Sequence, residues 1–110
     1  MGITRSDIFT QSQNDIASIA KVLGHPARIA ILQHVALVEG CVCGDLVNEI
    51  GLAQATISQH LKELKKIGII QGTVEGTSVC YCINLGRWNE IKASLEAFFS
   101  FNIECEDECC

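Results

Sequence analysis

No stretch of this 110-residue chain stays apolar long enough to cross a bilayer. Runs such as Ile29 to Leu32 and Val35 to Val38 cover four residues each, whereas a spanning helix needs about 20. The first fifteen residues, MGITRSDIFTQSQND, are polar and do not read as a secretion signal. A cytoplasmic location with no membrane partner is therefore expected. Positive charge is not in excess either: the formal net charge is −5, which at first argues against a polyanionic partner. The distribution reverses that inference, because Glu104, Glu106, Asp107 and Glu108 crowd the last seven residues and leave nine acids against eight bases in the rest. A local basic patch is still available for nucleic acid.

What is present is the balance of a small globular domain, 48% hydrophobic and 19% charged. One core fits this length, and so does burial of leftover apolar surface by self-association. Seven cysteines stand at positions 41, 43, 80, 82, 105, 109 and 110. In a reducing compartment such a set points to metal or redox chemistry rather than to a structural disulfide framework, and the odd count leaves one thiol without an intramolecular partner.

In chain order, residues 1–13 read as a flexible lead. Ser12 with Asp15 resembles a capping box, and Ile16, Ile19, Ala20 and Leu23 follow at helical spacing until Gly24. His25 reads as a turn or cap residue, and Pro26 suits the first position of a second helix. Ile29, Leu32 and Ala36, broadened by Ile31 and Val35, make that helix largely buried. A short third helix from about Gly44 is stopped by Gly51. After Leu52 and Ala53 a fourth begins: Ile57, Leu61, Leu64 and Gly68 lie within about 40° of one axis, and Ala55, Gln59, Lys62 and Lys66 lie opposite. His60, about 60° from the packing axis, reads as a packed structural histidine.

A short helix, a tight glycine turn and a helix that is polar at its start and basic at its end make a helix-turn-helix. Short hydrogen-bonding side chains near the helix start reach base edges, and lysines reach phosphates. Beyond Gly68 the period changes to two. Ile69 to Val74 and Thr77 to Asn84, joined through Glu75 and Gly76, form a hairpin with Val79, Tyr81 and Ile83 on one face and Cys80 and Cys82 on the other. The expected fold is mainly α with a small β-hairpin, a winged helix-turn-helix over residues 14–101. The last helix, about Arg87 to Phe101, aligns Trp88, Ile91, Leu95 and Phe98, and it carries four of the six aromatic residues. That concentration suits a dimer interface. Residues 102–110 are an acidic, cysteine-rich tail.

The segments LGHPARIAIL, CVCGDLV, LAQATISQHLKELKKIGII and GTSVCYCI, in this order, resemble the ArsR family of winged-helix, metal-responsive repressors, arsenic-responsive type. The resemblance, over about residues 14–100, implies a homodimer formed by the first and last helices, with Ile16 and Ile19 joining Trp88, Ile91, Leu95 and Phe98. It implies double-stranded operator DNA as the partner, with Gln54, Ala55, Thr56, Ser58, Gln59, Lys62 and Lys66 at the interface. It further implies release when an inducer binds. Ala53 stands where the family commonly has a capping Ser, a loss of about 1 kcal/mol unless another group caps the helix.

Cys41 and Cys43 match the inducer-binding CxC of the arsenic-responsive members. DNA binding needs no cofactor. The expected inducer is As(III) or Sb(III), which wants three soft thiolates, with Cd or Zn in a four-thiolate site as the competitor. Gly44 shifts the following residues, and Leu46 and Val47 stand in the place of a third nearby cysteine. Cys105, Cys109 and Cys110 could bind such an ion by themselves, or one of them could complete a site with the Cys41–Cys43 pair. The family's zinc-type site, with Asp and His ligands along the last helix, finds Asn84, Gly86 and no histidine here. Cys80 and Cys82 read as structural. Direct thiol oxidation is an alternative signal. A small thiol redox enzyme or metal-buffering protein is the alternative of another class, but no catalytic His or acid neighbours the cysteines in a recognised motif, so no enzyme is expected.

Overall fold

The computed structural model describes residues 6–38, 41–42, 46–75 and 78–103. A 3₁₀ turn at Ser6–Ile8 precedes α1 (Gln11–Leu23), α2 (Pro26–Leu37), α3 (Leu46–Ile50), α4 (Gln54–Lys66), β1 (Ile70–Glu75), β2 (Ser78–Ile83) and α5 (Leu85–Phe99). This is the expected helix-turn-helix followed by a hairpin.

Helix α1 starts earlier than expected. Thr10, not Ser12, is its N-cap: the Thr10 hydroxyl accepts from the Gln13 N–H at 3.1 Å, and the Gln13 side chain accepts from the Thr10 N–H at 3.0 Å. Ser12 falls inside the first turn, and Asp15 instead accepts from the Gln11 side chain at 2.8 Å. The Thr10–Gln13 pair satisfies the reciprocal box two residues nearer the start of the chain. Helix α5 likewise begins at Leu85, because the Asn84 side chain caps it by accepting from the Arg87 N–H at 3.2 Å. His25 is the N-cap of α2 by position, with Pro26 behind it, but its side chain makes no capping hydrogen bond.

The core is contiguous. Ile19, Ile31, Leu32, Val35, Val42, Leu46, Ile57, Leu61, Leu64, Ile69, Ile70 and Ile91 close it. Helix α2 differs from the expected face: Ile31, Leu32 and Val35 are buried, whereas Ile29 and Ala36 are exposed. Its neighbours explain the difference. Helix α2 packs against α1, α3, α4 and β2, so its buried stripe is set by several elements rather than by one opposing helix.

Strands β1 and β2 pair antiparallel, Ile70 against Ile83 through Glu75 against Ser78. Beyond β2, Val42 forms a bridge with Tyr81, exchanging both backbone hydrogen bonds at 2.7 and 2.8 Å. Tyr81 is therefore flanked by Gly72 on one side and Val42 on the other. A Cβ on Gly72 would stand 3.2 Å from the Tyr81 ring, so the glycine leaves room for it. Gly68, at φ +80°, ends the turn after α4 in the left-handed region open to glycine, and a Cβ there would meet Arg87 Cγ at 3.3 Å. Arg87 Nε also donates to the Ile67 carbonyl at 2.8 Å, fastening α5 to the end of α4.

Helix α4 is held from behind by a polar contact. Arg28 on α2 donates from Nε to His60 Nδ1 at 3.1 Å and from its guanidinium to the Val22 carbonyl at 3.1 Å, and the His25 ring lies 4.4 Å from that of His60. His60 is buried, as its wheel position suggested. Burial first, then the charges of His25 and Arg28, hold its imidazole below the ordinary value of 6.5. The folded ring resists protonation where the unfolded one accepts it, so the unfolded state binds more protons and stability falls as pH drops through 6.5. The urea midpoint is expected to decrease between about pH 7.5 and about pH 5.5, with a shallower slope in His60→Gln. An unchanged slope in that variant would assign the pH dependence to other groups.

Candidate nucleic-acid interface and thiol groups

Helix α4 separates its two faces cleanly. Ile57, His60, Leu61 and Leu64 are buried, while Gln54, Ala55, Thr56, Ser58, Gln59, Lys62 and Lys66, the seven residues expected at DNA, are all exposed. The turn before it is made by Gly51, at φ +83°, whose N–H returns to the Val47 carbonyl at 2.9 Å. Ala53 is the N-cap of α4 and provides no side-chain hydrogen bond, so the orphan donors of the first turn stay open to another acceptor. Gln54 and Ser58 are joined across one turn, Nε2 to Oγ, at 3.1 Å. Both keep further hydrogen-bonding capacity on the exposed face.

The basic end of α4 is richer than expected. A concavity of about 470 Å³ between α4 and β2 is lined by Ser58, Lys62, Lys65, Lys66 and Tyr81. Lys65 was legible in the run KELKK, but the wheel alone did not set it beside Lys62 and Lys66. Tyr81 left no sequence signal for this position, since only strand pairing brings it there. Glu63 is the local counterweight: Lys66 Nζ is 2.9 Å from its carboxylate, and that hydrogen bond holds the Glu63 carboxyl below its ordinary value. The wing lies alongside with Val74 and Val79 exposed.

Of the thiols, Cys41, Cys80 and Cys82 are among the described residues, and Cys43, Cys105, Cys109 and Cys110 lie outside them. Cys41 and Cys82 are half-buried thiols. Cys80 is 1% exposed and disulfide-bonded. The structural reading of Cys80 therefore stands with one change, that its sulfur is in a disulfide rather than a free thiol. No group of three or more His, Cys, Asp or Glu side chains suited to a metal ion is gathered among the described residues.

The expected interface residues divide by burial. Ile19 and Ile91 are 2% and 3% exposed and belong to the core of the single chain, so they have little surface to offer a partner. Ile16, Trp88 and Leu95 are half-buried and Phe98 is 47% exposed. Phe99 and Phe101, outside the expected set, are 77% and 75% exposed.

Residues 25–71, which hold α2, α3, the turn and α4, match the family model described as bacterial regulatory protein, arsR family. A biofilm growth-associated repressor of Xylella fastidiosa is 32% identical over 107 residues, 96% of this chain and 87% of the relative. The chain belongs to the ArsR family. A cadmium resistance transcriptional regulatory protein CadC homolog of Staphylococcus aureus is 37% identical over 82 residues, 73% of this chain and 66% of that protein. An ArsR-like transcriptional regulator from Rhodococcus sp. RHA1 shares the fold, with a TM-score of 0.69 at 18% identity over 83% of this chain and 85% of that one. This ArsR-family chain is a DNA-binding transcriptional regulator and not an enzyme. No helix among the described residues is long and apolar enough to cross a membrane.

Substitution of Lys62 or Lys65 by Ala is expected to weaken binding to all duplexes and to reduce the salt slope by about 1 each, whereas Gln59→Ala relaxes sequence preference. Glu63→Gln should strengthen binding to any duplex, because it removes a negative charge among three lysines. Fluorescence anisotropy across a salt series checks all four variants. Sequence-dependent losses at the lysines would mean that the helix meets DNA in another orientation.

Proposed function

We propose that this chain is a homodimeric repressor that lays the exposed face of α4 in the major groove of a palindromic operator and leaves it when its cysteines take a thiophilic metal(loid), As(III) or Sb(III). The observation that carries the DNA half is the division of α4 into a buried apolar face and a continuous polar and basic one. The wing beside it is suited to the flanking backbone. For the dimer, a groove of about 730 Å³ between α1 and α5 supports the reading. It is lined by Ile16, Ala17, Ala97, Phe98 and Phe101 among others, and exposed aromatic surface of this kind is characteristic of interface cores.

For the inducer, support comes from the number and softness of the thiols and from the cadmium-resistance role in the name of one relative. Cys105, Cys109 and Cys110 supply a three-thiolate set in six residues, and Cys41 with Cys43 is the alternative or complementary set. The Cys80 disulfide favours a second reading, a regulator of the same fold that answers to thiol oxidation.

Operator duplexes selected from a random pool by the reduced protein should be inverted repeats. Their release by arsenite, antimonite, cadmium and zinc, in the unaltered chain and in Cys41/Cys43→Ser and Cys105/Cys109/Cys110→Ser variants, separates the ion and the site. Loss of arsenite response in the tail variant alone is expected, and a retained response there excludes the tail site. Phe98→Glu should shift the protein to monomer in sedimentation and reduce operator affinity together, and a dimeric variant would move the interface elsewhere.

A further inference from the structure

The two CxC segments, Cys41-Val42-Cys43 and Cys80-Tyr81-Cys82, are 37 residues apart in sequence, and β2 is where they meet. Val42 and Tyr81 exchange both backbone hydrogen bonds, which defines them as a hydrogen-bonded antiparallel pair. Each neighbouring pair in such a ladder is then non-hydrogen-bonded, with Cα atoms about 4.5 Å apart and side chains on the same face. The residue before Val42 is Cys41 and the residue after Tyr81 is Cys82. A disulfide spans Cα separations of about 4.4–6.8 Å, so this position lies within reach of one.

We propose that Cys41 and Cys82 form a redox-active dithiol that closes across the Val42–Tyr81 bridge and ties the entry to the helix-turn-helix to the wing. Three observations converge on it. The bridge fixes the register, both groups are half-buried thiols and so open to small oxidants, and Cys80 on the same face of β2 is already in a disulfide. The inference deepens the thiol-responsive side of the proposed function and rests on the chain's being an operator-binding regulator.

The oxidant is a hydroperoxide, ROOH. One thiolate of the pair attacks the outer peroxide oxygen, the O–O bond breaks, and a sulfenic acid and an alkoxide form, the latter protonated to ROH. The second thiolate attacks the sulfenic sulfur, and the S–S bond forms as hydroxide leaves and is protonated to water. Two thiols and one hydroperoxide become one disulfide, one alcohol and one water, with two electrons passing from sulfur to oxygen. Closure joins the residue ahead of Val42, whose side chain is in the core, to the strand that carries Tyr81 beside Lys62 and Lys65. The cross-link thereby bears on the relative placement of α4 and the wing.

The test starts from full-length protein reduced with a phosphine and exposed to tert-butyl hydroperoxide. Trypsin cuts after Arg28, Lys62, Lys66, Arg87 and Lys92, so Cys41 falls in peptide 29–62, Cys82 in 67–87 and the tail cysteines in 93–110. In a Cys43→Ser/Cys80→Ser chain, a link between the first two peptides has a single identity, and in the unaltered chain tandem fragmentation assigns it. The expected result is an intramolecular 29–62 to 67–87 link through Cys41 and Cys82. With it, operator affinity falls by at least about fivefold, the lower end of typical coupling between sites, and Cys41→Ser and Cys82→Ser each abolish the response. A link from Cys41 to the tail peptide, a link between protomers, or closure with unchanged affinity overturns the proposal. If the reduced chain selects no duplex at all, it is the regulator reading that fails, whereas selective binding without closure defeats the dithiol alone.

Discussion

Two backbone hydrogen bonds between Val42 and Tyr81, at 2.7 and 2.8 Å, tie the segment that enters the helix-turn-helix to the wing. They add a third, one-residue strand to the outer edge of β2, and they bring the Val42 side chain into the same core as Leu46, Ile57 and Leu61. Backbone polar groups at such an edge would otherwise need water or another partner. The short helix α3 has five residues and makes little structure of its own. Its position depends on what holds it at either end, the bridge before it and the left-handed Gly51 after it.

Helix α4 inherits its orientation from that arrangement and from a polar fastening at its back. Arg28 reaches both His60 and the end of α1, so three helices share one guanidinium. The buried histidine serves this contact only while neutral, since Nδ1 must accept. On the opposite face, Lys62, Lys65 and Lys66 share their surroundings with Glu63, whose carboxylate is already engaged by Lys66. The net charge of −5 is thus compatible with a basic reading surface, because charge is distributed by element and not averaged over the chain.

The thiols connect this reading surface to chemistry. Cys41 borders the entry to α3, and Cys80 and Cys82 share a face of the strand that carries Tyr81. Any covalent or coordinative event there acts within one residue of the hydrogen-bonded bridge. Under the proposed thiol chemistry, no long path between signal and DNA is needed, because the signal would act on the support of α4 itself.

Sequence alone determined the order of elements, the division of α4 into buried Ile57, Leu61 and Leu64 against exposed Gln59, Lys62 and Lys66, and the alternation of Cys80 and Cys82 with Val79, Tyr81 and Ile83. These features follow from the periods of helix and strand, which a chain cannot hide. The starts of α1 and α5 were displaced because several short polar side chains lay near each boundary and only hydrogen-bond geometry chose Thr10 and Asn84. The exposed Ile29, the core positions of Ile19 and Ile91, and the shared surroundings of Lys65 and Tyr81 were decided by packing between elements. So was the meeting of the two CxC segments: strand register is a long-range pairing, and no local pattern in either segment states which partner the fold will set beside it.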